Sequence, residues 1–172
     1  MGNSSENLLK MVNIHKSFGK VVALKGVDFE VGTNEVVGLL GDNGAGKSTL
    51  VKTIMGVHPP TQGEFYVRGK KIDAHDYSAS KAHELRIETV YQEKALAEKQ
   101  SMWRNIFLGR QITNRLGFIN VKKEREETAR IMKDLIGFRG GGVSSDTKVG
   151  RLSGGERQGV AISRAMYFDA DL

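Results

Sequence analysis

Cysteine is absent from all 172 residues, which excludes disulfides and thiolate metal sites. Proline occurs twice, at Pro59 and Pro60, so a single loop carries both of these breakers. No apolar run approaches the roughly 18–20 residues of a membrane span, and the N-terminus lacks the charged-then-apolar pattern of a signal peptide. Aromatics make up only 7%, too scattered to interleave with a basic block as a nucleic-acid surface requires. The net charge of +6, from 26 Lys+Arg against 20 Asp+Glu, therefore reads as a solvated surface plus a few phosphate ligands. No nucleic-acid partner is expected. A hydrophobic content of 39% at this length suits one globular domain with its own core.

Glycine is what the chain has in excess, at 21 residues, many of them clustered. Gly41-Asp42-Asn43-Gly44-Ala45-Gly46-Lys47-Ser48-Thr49 spells G-x-x-x-x-G-K-[ST], the phosphate-binding P-loop. Val36 to Leu40 before it reads as a buried parallel strand. Leu50 to Met55 after it reads as a helix running on to Gly56 as its C′ residue. A glycine-rich loop turns its N–H groups around an anion, and the positive end of the next helix points the same way. Lys47 reaches the β- and γ-phosphates, and the Ser48 hydroxyl ligates Mg²⁺. The motif implies nucleoside triphosphate binding.

Residues 8–31 alternate as antiparallel strand pairs, with Ser17-Phe18-Gly19-Lys20 as a hairpin tip carrying an exposed aromatic. Glu64 to Arg68 reads as a strand closed by Gly69, Tyr77 to Leu85 as a short helix, and Ile87 to Tyr91 as a strand. Gln92 stands at the carboxyl end of that strand, where ligands bind in an open parallel sheet. Ser101 to Leu108 reads as a short helix, with at least two of Trp103, Ile106 and Phe107 in the core. Val121 to Ile136 reads as an amphipathic helix with Ile131, Met132, Leu135 and Ile136 inward. Its charged residues 122–127 form a solvated face, with Glu126 and Arg130 paired at i,i+4. Gly140-Gly141-Gly142 supplies a flexible joint.

Leu152-Ser153-Gly154-Gly155-Glu156-Arg157-Gln158 opens the last helix, with Ser153 and Glu156 at capping-box spacing. Paired glycines do nothing for a helix start, but they let an anion approach its positive end. A P-loop, a strand-end glutamine and LSGGERQ in this order resemble the ATP-binding subunits of ABC transporters. Tyr91-Gln92-Glu93 with Asn105-Ile106-Phe107-Leu108-Gly109-Arg110 resembles the simple-sugar importers of the ribose, xylose and fructose type.

The resemblance implies an α/β P-loop core with an antiparallel β subdomain (residues 1–91), a Q-loop and helical subdomain (92–150) and a signature helix (151–172). It also implies ATP and Mg²⁺ as cofactors. Phe18 then matches the aromatic that stacks on adenine, and Gln92 the Q-loop glutamine that contacts Mg²⁺. Ser153, Gly154 and Gly155 match the signature that meets the γ-phosphate held by an opposing subunit. The implied partners are a second ATP-binding domain, head to tail, and transmembrane permease subunits on the cytoplasmic side of the plasma membrane.

In that family the signature helix leads into the Walker B strand, which ends in Asp-Glu, and later to a switch histidine. Asp169-Ala170-Asp171-Leu172 stands where that strand begins, and His15, His58, His75 and His83 all precede the signature. The expectation is a fragment of a longer ATPase, incomplete at its C-terminus, that binds ATP with little or no turnover. Two other readings stay open: a soluble ABC-type ATPase without a membrane partner, and a non-hydrolysing regulatory module. A long charged linker would favour the first; a native protein no longer than these residues would favour the second.

Overall fold

The computed structural model describes residues 7–90, 96–136 and 142–172, with the side chains of 135 and 136 excepted. They fall into two compact units, residues up to 88 with 171–172, and residues 89–170. The signature helix therefore lies, through Ala170, in the same unit as the helical segment before it.

The first unit is built on an antiparallel sheet of order β2-β1-β3-β4. β1 (Asn7–Phe18) and β2 (Val21–Gly32) form the expected hairpin, turning at Gly19-Lys20. Leu9 and Met11 face the core, but beyond Asn13 (φ 50) the inward position shifts to Ile14. A bulge there explains the change of phase. The Asn13 N–H leaves the ladder and donates to the Asp28 carboxylate at 2.7 Å. β3 (Gln62–Val67) buries Phe65 and Val67, and β4 (Lys70–Ile72) follows after a two-residue turn. Arg68 and Gly69 sit at φ 47 and 71, the twist that closes a tight hairpin.

α1 (Lys47–Ile54) and α2 (Ala79–Glu84) cover the inner face through Leu50 and Ala82. Ser78 caps α2, its hydroxyl accepting from the Lys81 N–H. The Tyr77 hydroxyl donates to the Ile54 carbonyl near the end of α1.

Two expected strands differ from the structure. Val36 to Leu40 is extended but belongs to no sheet, and Val36 and Leu40 are 98% and 92% exposed. A strand exists only through a ladder partner, and this segment has none among the described residues. Residues 87–90 also lie outside the named strands, yet a parallel pairing begins there. The Glu88 N–H donates to the Leu172 carbonyl at 2.8 Å, and the Leu172 N–H donates to the Arg86 carbonyl at 3.4 Å. Ile87 and Leu172 pack with the first core.

The second unit holds α3 (Met102–Ile106), α4 (Val121–Ile131) and α5 (Gly154–Tyr167). Its core comprises Met102, Ile106, Phe107, Ile131, Met132, Val149, Leu152 and Val160. Trp103, Ile106 and Phe107 are all buried, as expected. α4 gives way at Met132 to a single π-helical turn through Ile136, so the expected helix is split.

The charged face of α4 needs two corrections. Glu124 is 1% exposed and turns inward, accepting the Ile112 N–H at 2.8 Å and so fixing the loop before the helix. Arg130 pairs with Glu127 at 2.8 Å, not with Glu126, because the i,i+3 neighbour is as close on the helix surface as the i,i+4 one.

Asn105 is buried in the midst of apolar α3 and clamps the segment before it. Its amide oxygen accepts the Ala97 N–H at 2.7 Å, and its nitrogen donates to the carbonyls of Ala97 (3.1 Å) and Ser101 (2.9 Å). Asn105→Ala strands these backbone groups out of reach of water. It is expected to lower unfolding stability by about 2–4 kcal/mol, measured as a shift in urea midpoint. A change within error would show that the clamp is dispensable.

Candidate nucleotide-binding site

The loop from Gly41 to Gly46 closes through the Ala45 N–H to the Asp42 carbonyl at 3.2 Å. Gly46 is the N-cap of α1 at φ 87, a left-handed conformation, and among the described residues no side chain caps the helix. The first intrahelical bond runs from the Leu50 N–H to the Gly46 carbonyl at 2.8 Å. The N–H groups of Gly46, Lys47, Ser48 and Thr49 precede it and have no acceptor within the helix. That is the donor set an anion needs.

The Lys47 ammonium folds back over the loop, donating to the carbonyls of Gly41 at 2.6 Å and Asp42 at 2.7 Å. Its charge therefore sits at the mouth of the same loop. Ser48 is exposed beside it. Gly46 must be glycine for a second reason: a Cβ there would stand 2.6 Å from the Ala23 carbonyl oxygen and 3.0 Å from Leu24 Cδ2. The loop is seated directly on β2. Behind it, Leu50 and Thr53 bury one face of α1, and the helix ends before Gly56 as expected.

Phe18 ends β1 and is 44% exposed. Its ring meets His58 edge to face, with centroids 5.0 Å apart at 79°. Lys16 Nζ lies 5.3 Å from the Phe18 centroid and donates to the Pro59 carbonyl at 2.6 Å.

Ser153 caps α5, and the capping box is complete. The Ser153 hydroxyl accepts from the Glu156 N–H at 3.3 Å, and the Ser153 N–H donates to the Glu156 carboxylate at 2.7 Å. Gly154 and Gly155 are exposed, and a Cβ on either would meet nothing within 4 Å. Space for a side chain exists there, so packing among the described residues does not explain the paired glycines. Arg157 reaches Glu98 at 3.2 Å.

The Ser153 backbone N–H, and then its hydroxyl, hold the Glu156 carboxyl below its usual range. A folded pKa below the unfolded one means the cap stabilises fully above the ordinary carboxylate pKa. That contribution is lost as pH falls through the folded value. Glu156→Gln is therefore expected to narrow the stability difference between pH 7 and about pH 3, read from urea midpoints. An undiminished difference would remove Glu156 from the acid response.

Gln92, with Tyr91 and Glu93, lies outside the described residues. Among the described residues no group of three or more His, Asp or Glu is placed to hold a metal. A cation at this loop would be held by phosphate oxygens and the Ser48 hydroxyl, the usual arrangement for Mg²⁺. The donor set fits a magnesium–nucleotide complex.

Comparison with known proteins gives a match to the ABC transporter family over residues 24–172. The chain belongs to the ABC transporter family. It is similar to the xylose/arabinose import ATP-binding protein of Sulfolobus acidocaldarius, 46% identical over 96% of this chain and 64% of the relative. It is also similar to a ribose import ATP-binding protein of Caldanaerobacter subterraneus, 36% identical over 97% of this chain but 32% of the relative. The chain thus spans about two-thirds of one relative and a third of the other.

Among solved structures, a nucleotide-free ATP-binding cassette from an ABC transporter matches with a TM-score of 0.77 and 28% identity, over 95% of this chain and 66% of that one. A dimeric, post-hydrolysis cassette bound to ADP and Pi matches with a TM-score of 0.70 and 26% identity, over 94% and 70%. The fold is that of an ABC ATPase, with its P-loop core and antiparallel sheet.

Two residues of this ABC chain carry more than their sequence context suggested. His58 stands in a loop read only for its breakers, and nothing local marks it as a neighbour of Phe18, forty positions away. Asn105 did carry a signal: an amide among Met102, Trp103 and Ile106, where helix periodicity demands apolar residues.

Proposed function

We propose that this chain is the ATP-binding, energy-coupling part of an ABC importer for a monosaccharide. The observation that carries the reading is the uncapped start of α1 with the Lys47 ammonium over its mouth. The sugar-import names of its relatives supply the cargo class. Gly41 to Thr49 hold the phosphates: the N–H groups from Gly46 to Thr49 point at them, and Lys47 offsets the charge of the transferred group. Ser48, with Gln92, would hold Mg²⁺, which would supply charge neutralisation for the phosphates. Phe18 stacks on the adenine. Ser153, Gly154 and Gly155 serve the ATP of a second ATP-binding domain, a reading supported by the exposure of the two glycines at the start of α5.

Binding of ATP closes the pair, and hydrolysis reopens it. Permease subunits at the cytoplasmic side of the membrane convert that cycle into transport. These residues on their own bind ATP with little turnover. Purified protein is expected to retain labelled ATP while releasing phosphate at the buffer rate; robust phosphate release would overturn this part.

The cargo assignment is tested in cells. Lys47→Ala in the full-length protein is expected to abolish uptake of labelled xylose or ribose while the permease remains in the membrane. Normal uptake of both pentoses would rule out the sugar-import reading and leave the nucleotide site standing.

A further inference from the structure

We propose that His58 is a positioning residue for nucleotide binding, holding the Phe18 ring as a base-stacking platform. This rests on the reading of Phe18 as the base-stacking residue. Phe18 ends a strand at a hairpin tip, beside Val21 and Val22, which are 66% and 59% exposed. An exposed ring at such a tip turns freely between rotamers unless something abuts it, and that freedom must be given up when a base stacks. His58 is what abuts it, edge to face at 5.0 Å and 79°, the geometry that ring quadrupoles favour.

His58 is itself held in place. The loop after α1 is tied back to β1 at three points. Lys16 Nζ donates to the Pro59 carbonyl at 2.6 Å, the Thr61 N–H to the His15 carbonyl at 2.8 Å, and the Ser17 N–H to the Thr61 hydroxyl at 3.4 Å. The His58 N–H donates to the Lys52 carbonyl at 3.2 Å, in the last turn of α1. Pro59 and Pro60 restrict the backbone immediately after it. The helix that begins at the P-loop thus ends by presenting an imidazole to Phe18. One short segment sets both the phosphate loop and the base platform.

The test compares ATP with inorganic tripolyphosphate, which carries the phosphates but no base. For His58→Ala, the Kd for ATP is expected to rise about three- to ten-fold, the range a ring pair supports, while the Kd for tripolyphosphate stays unchanged. His58→Phe, which restores an aromatic partner, is expected to recover ATP affinity. An unchanged ATP-to-tripolyphosphate ratio in His58→Ala, alongside a raised ratio in Phe18→Ala, would overturn the role of His58 and keep that of Phe18. Equal weakening of both ligands, unrescued by His58→Phe, would make His58 a purely structural loop residue and also overturn it. No effect of Phe18→Ala would overturn the Phe18 reading itself. Loss of tripolyphosphate binding is confined to P-loop variants in this account.

Discussion

Gly46→Ala is expected to weaken ATP binding by at least about a hundred-fold and to lower stability by about 2–4 kcal/mol. Two effects add. The residue sits at φ 87, where an L side chain is strained, and its Cβ would lie 2.6 Å from the Ala23 carbonyl oxygen. Real Cβ atoms do not approach backbone oxygen that closely, so either β2 or the loop must move. The loop moving opens the cradle; β2 moving disturbs the core around Leu24. Gly44 provides the control. It too sits at φ 87, but a Cβ there meets nothing within 4 Å. Gly44→Ala should show only the strain of its backbone, about 1–2 kcal/mol, and a smaller loss of affinity. Calorimetry and urea unfolding on the two variants read both quantities. Equal behaviour of the pair would show that the seat against β2 does not matter.

Lys47→Ala is expected to divide the two quantities that Gly46→Ala moves together. Charge-assisted bonds from an ammonium to phosphate contribute about 3 kcal/mol, so the Kd for ATP should rise about a hundred-fold. Stability should change little, because the bonds to the Gly41 and Asp42 carbonyls lie at an exposed loop where water replaces them. Retained affinity would remove the lysine from the site. A large loss of stability would recast it as a strut of the loop.

The P-loop motif, the β1–β2 hairpin, the α2 helix and the Ser153–Glu156 capping box were all legible in the sequence. Each is a local pattern, in which a few neighbouring residues satisfy one another's backbone groups. What escaped depended on partners distant in the chain. Val36 to Leu40 has the apolar run of a buried strand, but run and ladder are different things, and the ladder is missing among the described residues. Glu124 reads as one charge among six on a solvated face. The Ile112 N–H, brought in by the preceding loop, makes its burial tolerable. β4 is three residues long and follows an Arg-Gly turn that shows its hairpin character only through positive φ at both positions. At the proposed site, the P-loop was readable because a single stretch supplies its backbone donors. The Phe18–His58 contact was not, since the two meet only when β1 and the loop after α1 are zipped together.

The most direct measurement is a titration of the isotope-labelled protein with magnesium–ATP, followed through its backbone amide resonances. Binding at the loop should shift the amide signals of Gly44, Gly46, Lys47, Ser48 and Thr49 first and furthest, in a saturable one-to-one fashion, with the same signals moving for tripolyphosphate. Saturable ATP binding that leaves these five amides unmoved would contradict the central claim.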